Sequence, residues 1–348
     1  MIDKNIFIKN IYYMLSYAFQ TLKEERYKKI GTEKFENTAD LFSKILIIGV
    51  GRQIKQGLVK DYIKQTDTIS SIRGKINISE SINSQSFIKK QLCCTYDEFS
   101  LNCYLNQIIK STMNLLLKSD ITRENKKNLK KLLMYFSEVN LIDVKNINWK
   151  IRFDRNNQTY RMIIGICYLT INGLLQTQIG GNSKLMDFLD NQSMHRLYEK
   201  FILNYYIKEH PEIKSSSSQI KWQLDDNNDF MLPKMQSDVY LEHENKILII
   251  DAKYYSHTTQ KHFDSNTIHS GNLYQIFTYV KNKQEELQGK SIDVSGMLLY
   301  ARTNETIQPD NDYLMSGNKI SVKTLDLNQE FDIIKGQLDS IVVNYLIN

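Results

Sequence analysis

The spacing of hydrophobic positions divides the chain into stretches with a helical period and stretches that alternate like strands. Apolar side chains recur every three or four residues in 5–30 and again in 35–58, which predicts two packed helices. From about 60 to 100 the pattern is strand-like and interrupted, and 104–119 is again strongly amphipathic. The beginning of the chain is therefore predicted to be a mixed domain of helices and strands.

The second half of the chain has longer and more regular elements. Its pattern predicts one long helix at 187–211, ended by Pro211, and a loop at the four serines 215–218. The elements predicted after it are strands at 219–224, 235–241 and 247–255, a helix at 270–286, a strand at 294–301, and a final strand and helix. Strands framed by helices in this order favour a mixed α/β sheet.

The boundary between these two patterns is predicted at the paired glycines of "QTQIGGNSK", residues 176–184. Gly180 and Gly181 lie among polar neighbours, as in an exposed loop. The predicted organisation is a first domain at 1–150, a connecting segment at 151–186 and a second domain at 187–348.

Composition narrows the class of protein. At 348 residues, with 41% hydrophobic and 24% charged residues, the chain has room for two soluble domains. Its longest apolar runs, 45–49 and 247–250, are too short to span a bilayer. The first 15 residues mix charged with apolar side chains and do not resemble a secretory signal, so we expect a cytoplasmic protein with no membrane partner.

Cysteine usage and charge add two weaker statements. The four cysteines lack the CxxC spacing of zinc sites and are expected to be reduced thiols. A net charge of +6 is compatible with a polyanionic partner but does not identify one. The lysine-rich stretch 123–133 is most simply a solvated helix face, and contact with phosphates is the alternative.

Candidate chemistry is concentrated in "QSDVYLEHENKILIIDAKYY", residues 236–255. The polar residues 242–246 separate two strand-like runs, which is the pattern of a hairpin. Asp238 and Asp251 are equally far from the middle of that turn and would be cross-strand neighbours. Because strand side chains alternate, Lys253 would project from the same face as Asp251.

Two opposed carboxylates and one ammonium group have a chemical interpretation. Like charges this close disfavour each other unless a cation lies between them, and hard oxygen ligands suit Mg²⁺. Lys253 could then orient an attacking water or stabilise negative charge on a phosphate. The alternative is a salt-bridged trio on a sheet surface, since a bare D-x-K occurs often by chance.

Further polar residues occur at positions consistent with the same site. Gln275 and Tyr279 are four residues apart on the helix after the second strand, so both can face one sheet edge. Glu199, on the long helix before the strands, could supply another carboxylate, or it could be an ordinary exposed helix charge.

The order helix-Glu, strand-Asp, strand-DxK, helix-QxxxY resembles the PD-(D/E)xK nuclease superfamily. The position before Asp238 is Ser237 where that signature has proline, which is not a ligand. The resemblance implies a restriction-endonuclease-like fold for the second domain, catalytic roles for these residues and a metal bound by Asp238, Asp251 and Ala252.

Collinear segments along nearly the whole chain are similar to the McrC family, the nuclease subunits of McrBC modification-dependent restriction systems. These segments are "IKNIYYMLSYAF", "IRGKINISESI", "TYDEFSLNCYLNQIIKSTMNLLL", "MLPKMQSDVYL", "ILIIDAKYY", "HSGNLYQIFTYV" and "GMLLYA". The resemblance implies a Mg²⁺-dependent endonuclease that cuts methylated DNA.

The same resemblance implies a partner, a hexameric AAA+ GTPase of the McrB type, with docking and GTPase stimulation assigned to the N-terminal domain. The chain has no GxxxxGK[ST] phosphate loop, so GTP is expected to bind the partner and not this chain. Two other functions stay open, a non-catalytic adaptor that activates an NTPase and a standalone DNA repair nuclease.

Overall fold

The computed structural model of the chain describes residues 4–19, 22, 27, 30, 33, 35, 37–153, 157, 159–180, 191–226, 228–255, 259–262 and 265–347. The helices are α1 (Lys4–Ala18), α2 (Thr38–Gln56), α3 (Ile78–Asn83), α4 (Tyr104–Leu117), α5 (Arg123–Leu133), α6 (Tyr160–Gly180), α7 (Asn191–Glu209), α8 (Ser270–Glu286) and α9 (Phe331–Val342). Short 3₁₀ turns occur at Ser86–Lys89, Met134–Phe136 and Val144–Asn146, and a π-helical turn at Val343–Ile347.

Three strands lie in the first half of the chain and the other described strands lie in the second half. In chain order the strands are β1 (Asp61–Ile69), β2 (Lys75–Ile76), β3 (Leu92–Ser100), β4 (Lys214–Ser216), β5 (Gln219–Ile220), β6 (Met235–Gln236), β7 (Val239–His243), β8 (Lys246–Lys253), β9 (Thr259–His262), β10 (Ser265–Ile268), β11 (Asp293–Ala301), β12 (Asn311–Met315) and β13 (Asn318–Leu325). Among the described helices, none is both long enough and apolar enough to cross a membrane.

The chain folds into two compact units, and one of them is discontinuous in sequence. Met1–Glu36 clusters with Phe188–Asn348, here called the discontinuous unit, and Asn37–Asp187 forms the middle unit. The predicted division, which placed all of 1–150 in one domain, differs from this at both of its inner boundaries. The first 36 residues belong with the second half, and the predicted connecting segment 151–186 contains α6, which packs against α2 and α4 of the middle unit.

Specific long-range contacts explain why α1 belongs to the discontinuous unit. Asn10 Nδ2 donates to the main-chain carbonyls of Leu327 at 2.7 Å and Gln329 at 2.8 Å. The ring of Tyr13 stacks on that of Phe331, with centroids 4.3 Å apart. A buried amide bonded to two carbonyls and a stacked aromatic pair fix the position of the helix against the C-terminal part of the chain.

The middle unit combines a small sheet with packed helices, as the sequence predicts. Its antiparallel sheet has the order β1-β3-β2. Gly74, in the "IRGK" segment just before β2, has a φ of 62°, and a Cβ there would collide with the carbonyl oxygen of Thr95. Only glycine allows the chain to pass this close to β3.

The discontinuous unit contains a six-stranded sheet in the order β12-β13-β11-β8-β7-β4. β8, β11 and β13 are parallel, whereas the edge pairs β12–β13, β4–β7 and β7–β8 are antiparallel. α7 and α8 pack on this sheet. The predicted mixed sheet flanked by helices is therefore confirmed.

Several details of the predicted elements were wrong. The predicted loop at 215–218 includes strand β4, and the predicted strand 219–224 ends at residue 220. The predicted strand 235–241 is interrupted at residues 237 and 238. Of the predicted glycine loop, residues 176–180 are the end of α6, and residues 181–184 lie outside the described residues.

Candidate active site at the end of the β7–β8 hairpin

The β7–β8 hairpin has the register that the sequence predicts. Its pairs run from His243 opposite Lys246 to Val239 opposite Ile250, so one further step places Asp238 opposite Asp251. Two residues form the turn, and the first, Glu244, has a φ of 51°. Because side chains alternate along each strand, both aspartates project from one face of the sheet.

A main-chain hydrogen bond fixes the carboxylate of Asp238. Ala252 N–H donates to Asp238 Oδ2 at 2.8 Å, so this side chain takes the place of a ladder carbonyl. The N–H and C=O groups of one strand residue point to the same side, which directs the Ala252 carbonyl toward Asp238 as well. Since alanine has no polar side-chain atom, that carbonyl is the ligand Ala252 could offer to a metal.

Lys253 is held within this cluster by two contacts. Its Nζ lies 2.8 Å from Asp251 Oδ2 and 3.2 Å from Gln275 Oε1. Burial acts to lower the pKa of Lys253, but the neighbouring Asp251 carboxylate outweighs it and raises that pKa above its usual value. Lys253 is therefore an ammonium group, a hydrogen-bond donor and not a base, at neutral pH.

Two side chains of α8 hold Lys253 in position. Gln275 Nε2 donates to the hydroxyl of Tyr279 at 3.0 Å, so Tyr279 orients Gln275 and Gln275 orients Lys253. The helix lies close to the sheet because Gly296 of β11 leaves space for it. A Cβ at Gly296 would lie 2.6 Å from Cγ2 of Val280 and 2.9 Å from Cγ1 of Ile276.

Glu199 of α7 also contributes to the site. Its carboxylate is partly exposed, with 32% of the side chain accessible, and Oε1 lies 2.9 Å from His195 Nδ1. The charge of Glu199 is one of the causes that raise the pKa of Asp238, so the two carboxylates are close enough to interact. The structure thus brings together every residue that the sequence analysis assigns to the site.

The electrostatics of the cluster favour the binding of a cation. Burial, followed by the charges of Asp251 and Glu199, raises the pKa of Asp238 to about 8. Asp251 is 2% exposed, and although Lys253 forms an ion pair with its Oδ2, this buried oxygen accepts no well-directed hydrogen bond from the described residues. A cation between the carboxylates would replace the proton that Asp238 otherwise holds.

The donor set fits Mg²⁺. In the described part of the chain there is no group of three or more His, Cys, Asp or Glu side chains arranged as a metal cage. Mg²⁺ rarely uses such cages, because it is bound by one or two carboxylates and keeps several waters. Asp238 and Asp251, with the Ala252 carbonyl, are a set of this kind.

Three polar residues beside the site were missed by the sequence analysis. Asn272 Nδ2 donates to the hydroxyl of Tyr300 at 2.8 Å, and Tyr300 is the β11 residue paired with Lys253. The Tyr255 hydroxyl is 3.5 Å from Asn272 Oδ1. Tyr255 continues the alternation of Asp251 and Lys253 and could have been found from it, whereas pairing between parallel strands has no local sequence signal.

The chain is similar to known proteins along nearly its whole length. A family model described as McrBC 5-methylcytosine restriction system component matches residues 4–301. The Type IV methyl-directed restriction enzyme EcoKMcrBC of Escherichia coli (strain K12) is 28% identical over 347 residues, which cover 97% of this chain and 98% of that protein. The match includes the β7–β8 hairpin and α8.

Two solved assemblies are also similar to the chain. One is a refined half-complex from a tetradecameric assembly of Thermococcus gammatolerans McrB AAA+ hexamers with bound McrC, with a TM-score of 0.47 and 15% identity over 96% of this chain and 76% of that chain. The other is the Thermococcus gammatolerans McrBC complex, with a TM-score of 0.36 and 16% identity over 51% of this chain and 59% of that chain.

Proposed function

Since this chain belongs to the McrBC 5-methylcytosine restriction system component family, we propose that it is the Mg²⁺-dependent DNA endonuclease subunit of a GTP-dependent, modification-dependent restriction system. One observation carries the proposal, the convergence of Asp238, Asp251 and Lys253 on one face at the end of a hairpin. This is the arrangement of the PD-(D/E)xK nucleases, to which we assign the discontinuous unit.

Each residue of the cluster has a role in phosphodiester hydrolysis. Asp238, Asp251 and the Ala252 carbonyl would hold Mg²⁺, which when bound polarises a phosphoryl oxygen and acidifies a water. Lys253 donates hydrogen bonds, through which it orients the attacking water and stabilises the charge that develops on the phosphate. Gln275 and Tyr279 keep the ammonium group in place, and Glu199 adds negative charge beside Asp238.

We also propose that the chain acts with an AAA+ GTPase of the McrB type. Family membership supports this, and the absence of a GxxxxGK[ST] loop assigns GTP to the other protein. The docking role first assigned to residues 1–150 is assigned here to the middle unit. That unit exposes large apolar side chains, including Tyr62 at 71%, Ile78 at 68% and Ile88 at 68%, which favour a protein partner.

The experiment is cleavage of methylated and unmethylated DNA by the full chain with Mg²⁺, in the presence and absence of the GTPase and GTP. We expect cleavage of methylated DNA that requires Mg²⁺, the partner and GTP together. Stimulated GTP hydrolysis without any cleavage would identify a non-catalytic adaptor, and cleavage independent of partner and GTP would identify a standalone nuclease. Either result would refute the proposal.

A further inference from the structure

The net charge of the chain is divided unequally between the two units. Residues 37–187 contain 22 Lys and Arg against 12 Asp and Glu, a net charge of +10. The rest of the chain contains 23 against 27, a net charge of −4. The unit with the carboxylate cluster therefore repels a polyanion, and long-range attraction for one comes from the middle unit.

One face of α5 in the middle unit is strongly basic, with Glu124 as the one acidic residue of the helix. Its cations recur at intervals of three and four residues, which places them on a single side of the helix. They line a shallow depression of about 440 Å³ together with Met134, and they are Arg123, Lys126, Lys127, Lys130 and Lys131. We call these five residues the basic stripe. At 1.5 Å per residue it is roughly 12 Å long.

Buried contacts and hydrogen bonds hold the helix of the basic stripe in a fixed position. The opposite side of α5 is buried through Leu129 and Asn125, and Thr122 caps the first turn by accepting from Asn125 N–H. The buried carboxylate of Asp40 accepts from Thr122 and from Asn125 Nδ2, which fixes the start of the helix. The stripe is thus a preformed surface.

The five cations of the stripe form no ion pair with any of the residues that the structure describes. In the part of the chain that the structure describes, no carboxylate oxygen lies within 4.0 Å of any of their charged groups. Like charges three or four residues apart on one helix face destabilise the helix by roughly 0.2–0.5 kcal/mol per pair. A polyanionic ligand would relieve this repulsion, which solvation of the helix face alone does not do.

We propose that the basic stripe binds the phosphate backbone of duplex DNA without reading its sequence, which deepens the endonuclease function proposed above and rests on it. Duplex DNA carries one phosphate charge per roughly 3.4 Å on each strand, so a stripe of this length can run beside roughly three to four phosphates of one strand. Four of the five cations are lysines, point charges that suit phosphates without specifying bases.

An acidic protein surface fits the stripe less well. Cores of protein interfaces are depleted in lysine and depend on aromatic or aliphatic anchors in fitted pockets. The depression on α5 is lined by cationic side chains and Met134, and it offers no such pocket. The discontinuous unit has a net negative charge. Long-range attraction for DNA therefore has to come from another part of the chain.

The test is binding of a short unmodified duplex by the full chain, measured by fluorescence anisotropy without divalent cations at about 50 to 200 mM salt. The variant combines Lys127→Gln, Lys130→Gln and Lys131→Gln, three exposed residues of the stripe. The matched control combines Lys89→Gln, Lys145→Gln and Lys150→Gln, three exposed lysines of the same unit outside it. A cooperative melt of each variant establishes that it is folded.

We expect the stripe variant to bind about tenfold more weakly at moderate salt, and the slope of log affinity against log salt to flatten by about 2 to 3, near 0.9 per lost contact. The control variant should keep both the affinity and the salt slope close to those of the wild type. Wild-type affinity and slope in the stripe variant, or an equal loss in the control, would overturn the proposal. So would a stripe variant that keeps DNA binding and loses GTPase stimulation, because the stripe would then bind the protein partner.

The outcome is separable from that of the proposed function. A wild-type chain that binds the duplex through the stripe but never cleaves DNA under any condition refutes the nuclease and leaves the binding surface standing. A wild-type chain that cleaves DNA, with a stripe variant of unchanged affinity, refutes the binding surface alone.

Discussion

Each of the two units buries an aspartate, and the surroundings of the two side chains differ. Asp40 in the middle unit is 4% exposed and accepts hydrogen bonds from Thr122 N–H, from the Thr122 hydroxyl and from Asn125 Nδ2, at 2.7 to 3.0 Å. Asp251 in the discontinuous unit is 2% exposed and faces a second carboxylate, and its Oδ2 forms an ion pair with Lys253 but accepts no well-directed hydrogen bond from the described residues.

The surroundings of the two buried carboxylates indicate different roles for them. Three donors of the fold converge on Oδ1 of Asp40, so the fold itself stabilises this buried charge. The Asp251 charge is only partly compensated by Lys253, and the nearby Asp238 opposes it. A buried charge that the fold does not fully compensate is typical of a ligand-binding site.

The largest effect that would sharpen this comparison is expected from Asp251→Asn. The substitution keeps the size of the side chain and removes the charge a divalent cation requires, so we expect cleavage to fall by about 10³-fold or more, about 4 kcal/mol. Steady-state cleavage with Mg²⁺ measures it, and stimulation of the partner GTPase should persist.

Asp293→Asn is the matched control for Asp251→Asn. Asp293 is exposed and lies at the start of β11, paired with Lys246, at the far end of the strands from the cluster. Cleavage near the wild-type rate in Asp251→Asn would refute its catalytic assignment, as would an equal loss in the control.

The next effect concerns the other aspartate. Asp40→Ala removes the acceptor for Thr122 and Asn125 and leaves buried donors unpaired, so we expect the free energy of unfolding of the middle unit to fall by about 3 kcal/mol. Urea unfolding followed by circular dichroism measures it, with exposed Asp120→Ala as control.

Cleavage by folded Asp40→Ala should stay near wild type at temperatures well below the melt. A fully stable Asp40→Ala protein would show that its hydrogen bonds do not hold the unit together, and the contrast between a structural and a functional aspartate would fail.

A smaller effect for each unit of pH is expected from the titration of Asp238. Because the pKa of Asp238 is raised to about 8, the native state holds a proton that the unfolded state releases near pH 4. Without Mg²⁺, this contribution to stability is complete below the unfolded pKa and is lost as pH rises through about 8, by at most about 1.4 kcal/mol per pH unit. Stabilisation by Mg²⁺ should increase over the same range, since the cation displaces the proton.

Melting temperatures from about pH 5 to about pH 9, with EDTA and with Mg²⁺, measure this dependence. The comparison protein is Asp238→Asn, which has no titrating carboxyl group at this position and should lose the slope. Equal pH dependence in the two proteins would mean that Asp238 does not carry the proton.

The smallest effect is expected from Tyr279→Phe. The hydroxyl accepts from Gln275 and acts on Lys253 only through it, so its removal should lower the cleavage rate by several-fold, about 0.5–1.5 kcal/mol. Tyr274→Phe on the same helix is the control, because that ring is 67% exposed. Identical rates for both variants would show that Tyr279 does not position the lysine.

The geometry of the β7–β8 hairpin and of α8 could be predicted from the sequence, because it depends on local patterns. The register of β7 and β8 follows from a symmetric turn and the alternation of strand side chains, which are local properties. The helix bounds 270–286 and the relation of Gln275 to Tyr279 follow from helical periodicity. The interruption of the strand at Asp238 was not predicted, because it depends on a side chain that replaces a ladder carbonyl.

The assignment of α1 to the second half of the chain could not be predicted. Its amphipathic pattern shows that the helix needs a partner, but the partners of Asn10 and Tyr13 lie more than 300 residues away. The division of charge was present in the sequence, yet a net charge of +6 concealed it until the true boundaries were known.

The discontinuity of the first unit has a consequence for the order of events during synthesis. Asn10 bonds to a carbonyl 317 residues further along the chain. At about 5–20 residues per second, α1 therefore waits roughly 15–60 s for its partner, while the middle unit can fold as soon as it is made. The sheet that carries the carboxylate cluster is completed only when β13 has been made, so a ribosome-bound chain holds a finished middle unit before it holds that cluster in place. Nascent chains stalled before residue 320 should then show a protease-resistant middle unit and a protease-sensitive first helix.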